Sequence, residues 1–587
     1  MRQGCFRFVF ASLFALSAGA WCDELKWDTF SDTWEAVDAL GRRLPTHAEV
    51  GDPREGKYVG IFYFLWLGAH GQSGPHDITK ILKEHPDAME ASDHPAWGPM
   101  HAFHHWGEPL LGYYLSDDPY VFKQHARMLA DAGVEVVIFD VTNQATYKDN
   151  YLALCKAFAE VRAAGHATPR IAFLCPFWDP ARVVGELHGD LYGPNLHPDL
   201  WFLWEGKPLI LADPGRVDDE TLRAFFTFRK PIASYFTGPD GPDQWGWLEV
   251  FPQHVFKNGA GEAEQMTVGV AQNAVGDRLA AMSEAGARGR SFHGGRQATE
   301  TDAVLHGHNF AEQWRRALEV DPKFIFITGW NEWVACRFDE FNNVKAPVMF
   351  VDQFDQEHSR DIEPMRGGHG DNYYYQMIAN IRRFKGARPQ PAAGPPKSIT
   401  VNGDFSDWRD VTPEFRDHVG DPVFRDHPAW GEAGRFLNRS GRNDFTTLKV
   451  ARDEKFLYFY ARTRGYISLS VEPHWMMLFI DVDRSKDTGW EGYDFVLNRL
   501  TPKPDGALLE RLSSDWKPNP VAKIPYRAFE KELELAIPRE ILGLSADAPL
   551  DIEFKWADNI MREGSIVEFS VNGDAAPPGR FNYRYFE

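Results

Sequence analysis

In the stretch ITGWNEW (residues 327–333) one carboxylate, Glu332, stands between Trp330 and Trp333 and directly follows Asn331. The residues ahead of it, Lys323–Thr328, form a short apolar run of the kind that makes a buried β-strand. A glutamate delivered at the end of a strand and flanked by indoles suits cleavage of a glycosidic bond. The carboxyl can act as acid, base or nucleophile, while aromatic walls hold the sugar ring and exclude water. The competing reading is architectural: Glu332 salt-bridges a neighbouring strand and both tryptophans are core.

Other side chains could share the site. Polar residues end several further apolar runs: Asp140 and Asn143, Asp213, Gln253 and His254, Gln272 and Asn273. Asp140 is a candidate second carboxylate, with Asp339, Glu340, Asp352 and Asp355 as rivals. Trp66, two residues past the first apolar run, is a candidate substrate-binding residue. MHAFHHWGEP (100–109) concentrates His101, His104, His105 and Trp106, a patch suited to hydroxyl recognition or to a transition metal. GARGRSFHGGRQ (286–297) places Arg288, Arg290, His293 and Arg296 in a glycine-rich loop. It reads as a solvated loop or as a clamp for a carboxylate or sulfate on the substrate. Tyr373–Tyr375, just after His369, read as core packing of the last helix.

The elements that must position these groups are legible as eight apolar runs: Tyr58–Phe64, Val134–Val141, Arg170–Cys175, Pro208–Asp213, Pro231–Phe236, Leu248–Gln253, Thr267–Gln272 and Lys323–Thr328. Continuous rather than alternating apolar runs suit parallel strands covered on both faces. Helical patterns over Pro119–Ala132, Asn150–Ala164 and Phe310–Val320 separate some of them, with Asp117 or Asp118 as the cap of the first. Eight strand units predict a (β/α)8 TIM-type barrel, whose catalytic groups stand at the C-terminal strand ends. An open doubly wound sheet is the alternative, although no glycine-rich phosphate loop follows any run. The Pro/Gly/Ala-rich segment 386–398 reads as a linker. Beyond it, LKVARDEKFLYFYART, WMMLFIDVD and LDIEFKWADN alternate in short pieces, which predicts an antiparallel β-sandwich over 399–587.

With the strand, the carboxylate and the flanking indoles in place, ITGWNEW resembles the strand-end motif of glycoside hydrolase families 71 and 99, and YVGIFYFLW (58–66) resembles their first strand. The likeness spans residues 57–385, and Asn331-Glu332-Trp333 is its specific part. It implies a glycosidase in which a second glutamate lies three residues after the first, one carboxylate deprotonating the sugar 2-OH and the other serving as general acid. Here that position is Ala335, so the simple carry-over fails. EHSRDIEP (357–364) resembles the displaced end of the family segment after an insertion of about twenty residues, and on that resemblance Glu357 is the expected acid. The C-terminal region resembles family 9 carbohydrate-binding modules, with ITVNGDFSDW (399–408) as its opening. Trp475, Trp490, Trp516 and Trp556 are then sugar platforms or core. Asp481, Asp483 and Asp487 in DVDRSKDTGW alternate in a way that would turn several oxygens toward a Ca2+ ion; a plain acidic turn is the alternative.

Bulk properties narrow the partners. The 587 residues exceed one core. A formal charge of −21, from 63 basic and 84 acidic residues, argues against nucleic acid. Residues 1–20 read as a signal peptide, with Arg2 and Arg7 ahead of an apolar run and Ala18-Gly19-Ala20 as the cleavage site. Lipidation at Cys22 is the alternative. The Cys spacing suggests neither a zinc knuckle nor a disulfide framework. The chain thus divides into residues 1–20, a catalytic domain over 21–385, the linker 386–398 and the module 399–587. The expected activity is exported, soluble hydrolysis of a polysaccharide or oligosaccharide without a required cofactor. A non-catalytic glycan-binding protein and a polysaccharide lyase are the alternatives.

Overall fold

The computed structural model describes residues 27–99, 101–503 and 506–587; residues 1–20, read above as a signal peptide, and Cys22 lie outside them. Eight parallel strands form the heart of the first region. They are β1 (Tyr58–Tyr63), β2 (Val136–Asp140), β3 (Arg170–Leu174), β4 (Lys207–Leu211), β5 (Thr227–Ile232), β6 (Gln244–Gly246), β7 (Ala263–Gly269) and β8 (Phe324–Thr328). The sheet runs β7-β8-β1-β2-β3-β4-β5-β6, so the first and last strands of the chain's cycle are neighbours. The helices used below are α1 (Pro119–Asp131), α2 (Lys148–Ala163), α3 (Ala181–Leu187), α4 (Glu220–Phe225), α5 (His308–Val320) and α6 (Asn372–Lys385). Asp118 caps α1, its carboxylate accepting the Tyr120 N–H.

The apolar runs are buried on both faces because alternate side chains serve different cores. Phe62, Val136, Ile138, Ala172, Leu174, Leu209, Leu211, Phe324 and Phe326 fill the inside. Val59, Ile61, Val137, Phe139, Ile171, Phe173, Ile210, Ile325 and Ile327 face outward toward the helices. Gly60 is an inward position with no room for a side chain, since a Cβ there would lie 2.6 Å from the Phe324 ring. At the N-terminal end, Trp204 and Trp245 donate their indole N–H groups to Glu264, which also pairs with Arg229 at 2.7 Å.

Two of the eight units depart from the expected pattern. The fifth and sixth strands lie at 227–232 and 244–246, not at Pro231–Phe236 and Leu248–Gln253, and no helix follows either. Pro and Gly dominate residues 238–242 and Pro252 lacks an N–H, so these stretches can neither extend a ladder nor start a helix. Among the described residues no backbone ladder joins β6 to β7. A side chain bridges the gap: Gln265 Oε1 accepts the Gly246 N–H at 3.0 Å, and Gln265 Nε2 donates to the Gly246 carbonyl at 3.0 Å. The strands approach closely because Gly246 lacks a Cβ, which would fall 2.7 Å from Phe256 and 2.9 Å from Thr267.

A four-stranded sheet caps the C-terminal side. Its strands run in the order Val344–Phe350, Val334–Phe341, Phe103–His105 and His76–Asp77. The first two form a hairpin turning on Asn342 and Asn343, both with positive φ, as a two-residue turn requires. Residues 386–398 contain no helix or strand. Beyond them lie two larger antiparallel sheets, of five and seven strands. Phe415 and Phe459 of the first meet Phe554 of the second at 5.1 and 5.8 Å. No helix of the described residues is long and apolar enough to cross a membrane.

The Gln265 bridge makes a testable demand. Gln265→Leu leaves two buried backbone groups unpaired at about 1–3 kcal/mol each, so unfolding free energy in urea should fall by roughly 2–5 kcal/mol. A loss below about 0.5 kcal/mol would show that the bridge does not close the barrel.

Candidate active site

The C-terminal end of β8 delivers Glu332 to the rim, and a returning segment holds it there. After the hairpin, residues 360–363 run back alongside 329–332. The Gly329 N–H donates to the Arg360 carbonyl at 2.9 Å, Ile362 N–H to Gly329 at 3.1 Å and Glu363 N–H to Trp330 at 2.9 Å. The Glu332 N–H donates to Asp361 Oδ1 at 2.8 Å. This stitching aims Arg360 and Asp361 at Glu332.

Glu332 Oε2 accepts from Arg360 Nη2 at 2.9 Å and from Gln353 Nε2 at 3.2 Å. Gln353 also donates to Asp361 Oδ2 at 2.7 Å and accepts the Arg360 N–H, so it couples all three groups. Arg360 Nη1 donates to Asn273 at 2.6 Å. The same Nη2 lies 3.7 Å from Asp352, whose side chain is 50% exposed. Two carboxylates, one buried and one facing solvent, thus flank one guanidinium nitrogen.

Burial pushes the Glu332 carboxyl above the ordinary glutamate value; the Asp352 and Asp361 charges push the same way and Arg360 opposes. Burial also raises Asp361, against the Glu332 N–H, Arg360 and Arg290. Asp140, at the end of β2, is raised by burial, opposed by hydrogen bonds from Thr142, and feels both Asp352 and Arg360. Tyr235 is within electrostatic reach of Arg360, Asp352 and Glu332.

Several expected site residues lie elsewhere. Trp330 and Trp333 are fully buried. Trp330 packs on His125 and Tyr374, while Trp333 stacks on Trp106 at 4.4 Å and donates to Glu363. The expectation that they wall a cleft is therefore corrected: strand-end geometry turns both indoles into the core. His104, His105 and Trp106 are likewise buried, because they form or adjoin a strand pairing with Val334–Cys336. His105 is boxed by Tyr113 and Trp430, and Trp106 donates to the Glu332 carbonyl at 3.1 Å. Asn331 braces the end of β1 through the Phe64 N–H and carbonyl. Gln272 is buried against Asn309. Arg290 is fully buried on Ser359 and the Asp361 carbonyl, so it is no substrate clamp. His293 leans on His308 and the Ser291 carbonyl.

Glu357, the acid expected from the family resemblance, does not reach Glu332 in this structure. Its Oε1 accepts the Ser291 N–H and hydroxyl at 2.8 Å and the Gln297 amide. Ala335 lies in the strand Val334–Phe341 opposite His104, packed with Ile78, Trp97 and Phe350. Asp355 is paired with His358, and Asp339 and Glu340 are exposed on the hairpin. In the module, Asp481 and Asp483 gather with Asp494 rather than with Asp487. Trp475, Trp490 and Trp556 are buried there.

The rim does carry aromatic surface, mostly from other residues. Trp247 lies under the Arg360 guanidinium at 5.8 Å and meets Tyr235 and Phe177. Phe177 touches Trp178, which follows β3 and is 70% exposed. Elsewhere on the rim, Trp66 stacks near Tyr147, whose hydroxyl accepts from Asn143. The sequence pattern does not mark Trp178, Trp247, Gln353 and Arg360, which sit in irregular segments without periodicity, and it assigns Tyr235 to an apolar strand run. A basic residue three before Glu363-Pro364 was the one available signal.

Linkage to pH follows from the raised Glu332 carboxyl. Its protonated form favours the folded state below the ordinary value of 4.5, and that stability drains as pH rises above 4.5 toward the raised folded value. Glu332→Gln should flatten this part of the unfolding free-energy profile measured by denaturant titration across pH. An unchanged slope would place the proton elsewhere.

No protein-family model and no curated protein matches the sequence. Among solved structures, two of a family 99 endo-alpha-mannosidase of Bacteroides thetaiotaomicron are similar. The complex with bis-tris-propane is 16% identical with a TM-score of 0.32, and the other is 18% identical with a TM-score of 0.34. Each match covers 56% of this chain and 97% of the solved one. At these values the function rests on the chemistry of the site itself.

Proposed function

We propose that this chain is an exported glycoside hydrolase acting on a polysaccharide or oligosaccharide, with Glu332 as its essential carboxylate. The observation that carries the reading is the pair Glu332 and Asp352 on one nitrogen of Arg360, at the C-terminal rim of the barrel. Burial keeps a proton on Glu332 that a solvated glutamate would lose. That proton passes to the departing glycosidic oxygen as the anomeric C–O bond breaks. Asp352 takes the proton of the attacking hydroxyl, from water or from the sugar's own 2-OH, as the new bond forms. Arg360 keeps the two carboxylates apart and offsets charge as protons move. Trp178 presents a flat apolar face of sugar size, with Trp66 and Tyr147 as a further aromatic surface.

The C-terminal region reads as a β-sandwich built by the two sheets. Its buried tryptophans support bracing of the barrel more than sugar stacking.

A second reading has its own observation. Glu332 Oε2 is engaged by both Arg360 and Gln353, as a purely architectural carboxylate would be. A glycan-binding protein on the same barrel would then result. The two separate in a hydrolysis assay over a glycan panel. Glu332→Gln and Asp352→Asn should each lower kcat by about 10²–10⁴-fold while calorimetric affinity for the cleaved glycan holds. Trp178→Ala should raise KM about tenfold, the value of roughly 1.4 kcal/mol of binding, with little change in kcat. Wild-type binding without release of reducing ends would establish the binding protein instead, and an ultraviolet-absorbing unsaturated product would establish a lyase.

A further inference from the structure

A second cluster of carboxylates lies where the module meets the barrel. One oxygen each of Asp417, Asp421 and Asp574 falls within 4.8 Å of the others. Asp417 is completely buried, yet neither of its carboxylate oxygens accepts a hydrogen bond. Asp574 is 3% exposed. Its Oδ2 accepts the Phe445 N–H at 2.6 Å and its Oδ1 has no donor, nor does Oδ1 of Asp421.

Lys555, Arg127 and His418 oppose this charge only from beyond ion-pair distance. No ion pair of the described residues involves any of the three. Lys555 is buried nearby, but its ammonium donates to the Pro577 carbonyl. Arg127 donates to the Gly420 carbonyl at 2.8 Å, and the His418 ring is paired with Asp131 at 3.0 Å. Asp444 adds a fourth negative group within electrostatic reach. Buried polar groups are paired as a rule, and a buried unpaired carboxylate is among the costliest exceptions. The ligand set is all carboxylate oxygen, two groups from one loop and one from the start of a strand, which is the chemistry of a hard divalent cation with flexible coordination.

We propose that Asp417, Asp421 and Asp574 form a Ca2+ site that fastens the C-terminal module to the barrel. The loop 417–421 carries two of the ligands and also makes the docking contacts. His418 pairs with Asp131 of α1, the Val419 N–H donates to His166 at 2.8 Å, and Gly420 accepts from Arg127 of α1. Asp574 opens the short strand Asp574–Ala576 of the seven-stranded sheet. One cation therefore ties the docking loop to the sheet behind it. Asp421 and Asp574 also line the cleft between α1, α6 and the module, which supplies an entry path.

The test uses the full chain, unfolded in chelator and refolded with or without millimolar Ca2+. Bound calcium is measured by mass spectrometry and Tm by calorimetry. Wild type should gain one Ca2+ at this site and several degrees in Tm. Asp417→Asn/Asp574→Asn should lose both, and should melt at or above metal-free wild type because the repulsion is gone. Asp483→Asn/Asp494→Asn, in the other acidic group, should keep the gain assigned to this site. Equal Tm of wild type with Ca2+ and with chelator, or a full gain in the Asp417/Asp574 variant, would overturn the proposal. Should that variant fail to fold, Tb3+ luminescence excited through tryptophan decides. The Trp27 indole N–H donates to the Asp417 carbonyl at 2.7 Å, so Trp27→Phe should cut the emission severalfold. Undiminished emission counts against the site.

Discussion

The stitching of residues 360–363 onto 329–332 is the constraint on which the candidate site depends. A glutamate at the end of a barrel strand is not by itself a reactive group. Three backbone hydrogen bonds and the Glu332 N–H to Asp361 contact bring a guanidinium and a second carboxylate to it. Burial then opposes ionisation while Arg360 favours it. The balance of those two terms makes Glu332 a group that can give up a proton near neutral pH.

The contrast with Glu264 shows how the barrel separates architecture from chemistry. Glu264 lies at the N-terminal end and receives two indole N–H groups and Arg229, whose Nη2 also meets the exposed Glu205 at 2.9 Å. It pins the aromatic plug that supports the strands. Glu332 lies at the opposite end, next to a half-exposed aspartate. The same residue type thus holds the fold together at one end and, in the proposed function, serves catalysis at the other.

The hairpin Val334–Phe350 explains the absence of a second glutamate soon after the first. Instead of turning back at once, the chain makes two strands that extend the cap sheet and only then returns. Position 335 becomes a small residue packed in that sheet, opposite His104. The returning segment then supplies arginine and aspartate, with Asp352 contributed by the approach to it. Glu357, one turn of loop earlier, is held by Ser291 and Gln297 of a different loop.

What the sequence alone determined were the features governed by local pattern. Six of the eight barrel strands, α1 with its Asp118 cap, and the emergence of Glu332 at a strand end all follow from apolar runs and capping chemistry. These signals lie within a few residues of one another, and burial on both faces leaves a clear composition. The tertiary structure alone decided which side chains face the cleft and which face the core. Trp330 and Trp333 are as indole-rich a signal as sequence offers, yet their orientation is set by how β8 ends against Trp106 and Tyr374. Asp352 and Arg360 come from one irregular segment and Trp178 from another, and only closure of the barrel brings the two to the same rim through Phe177 and Trp247. Distance along the chain carries no information about that meeting, because it is fixed by the packing of strands that the intervening loops merely connect.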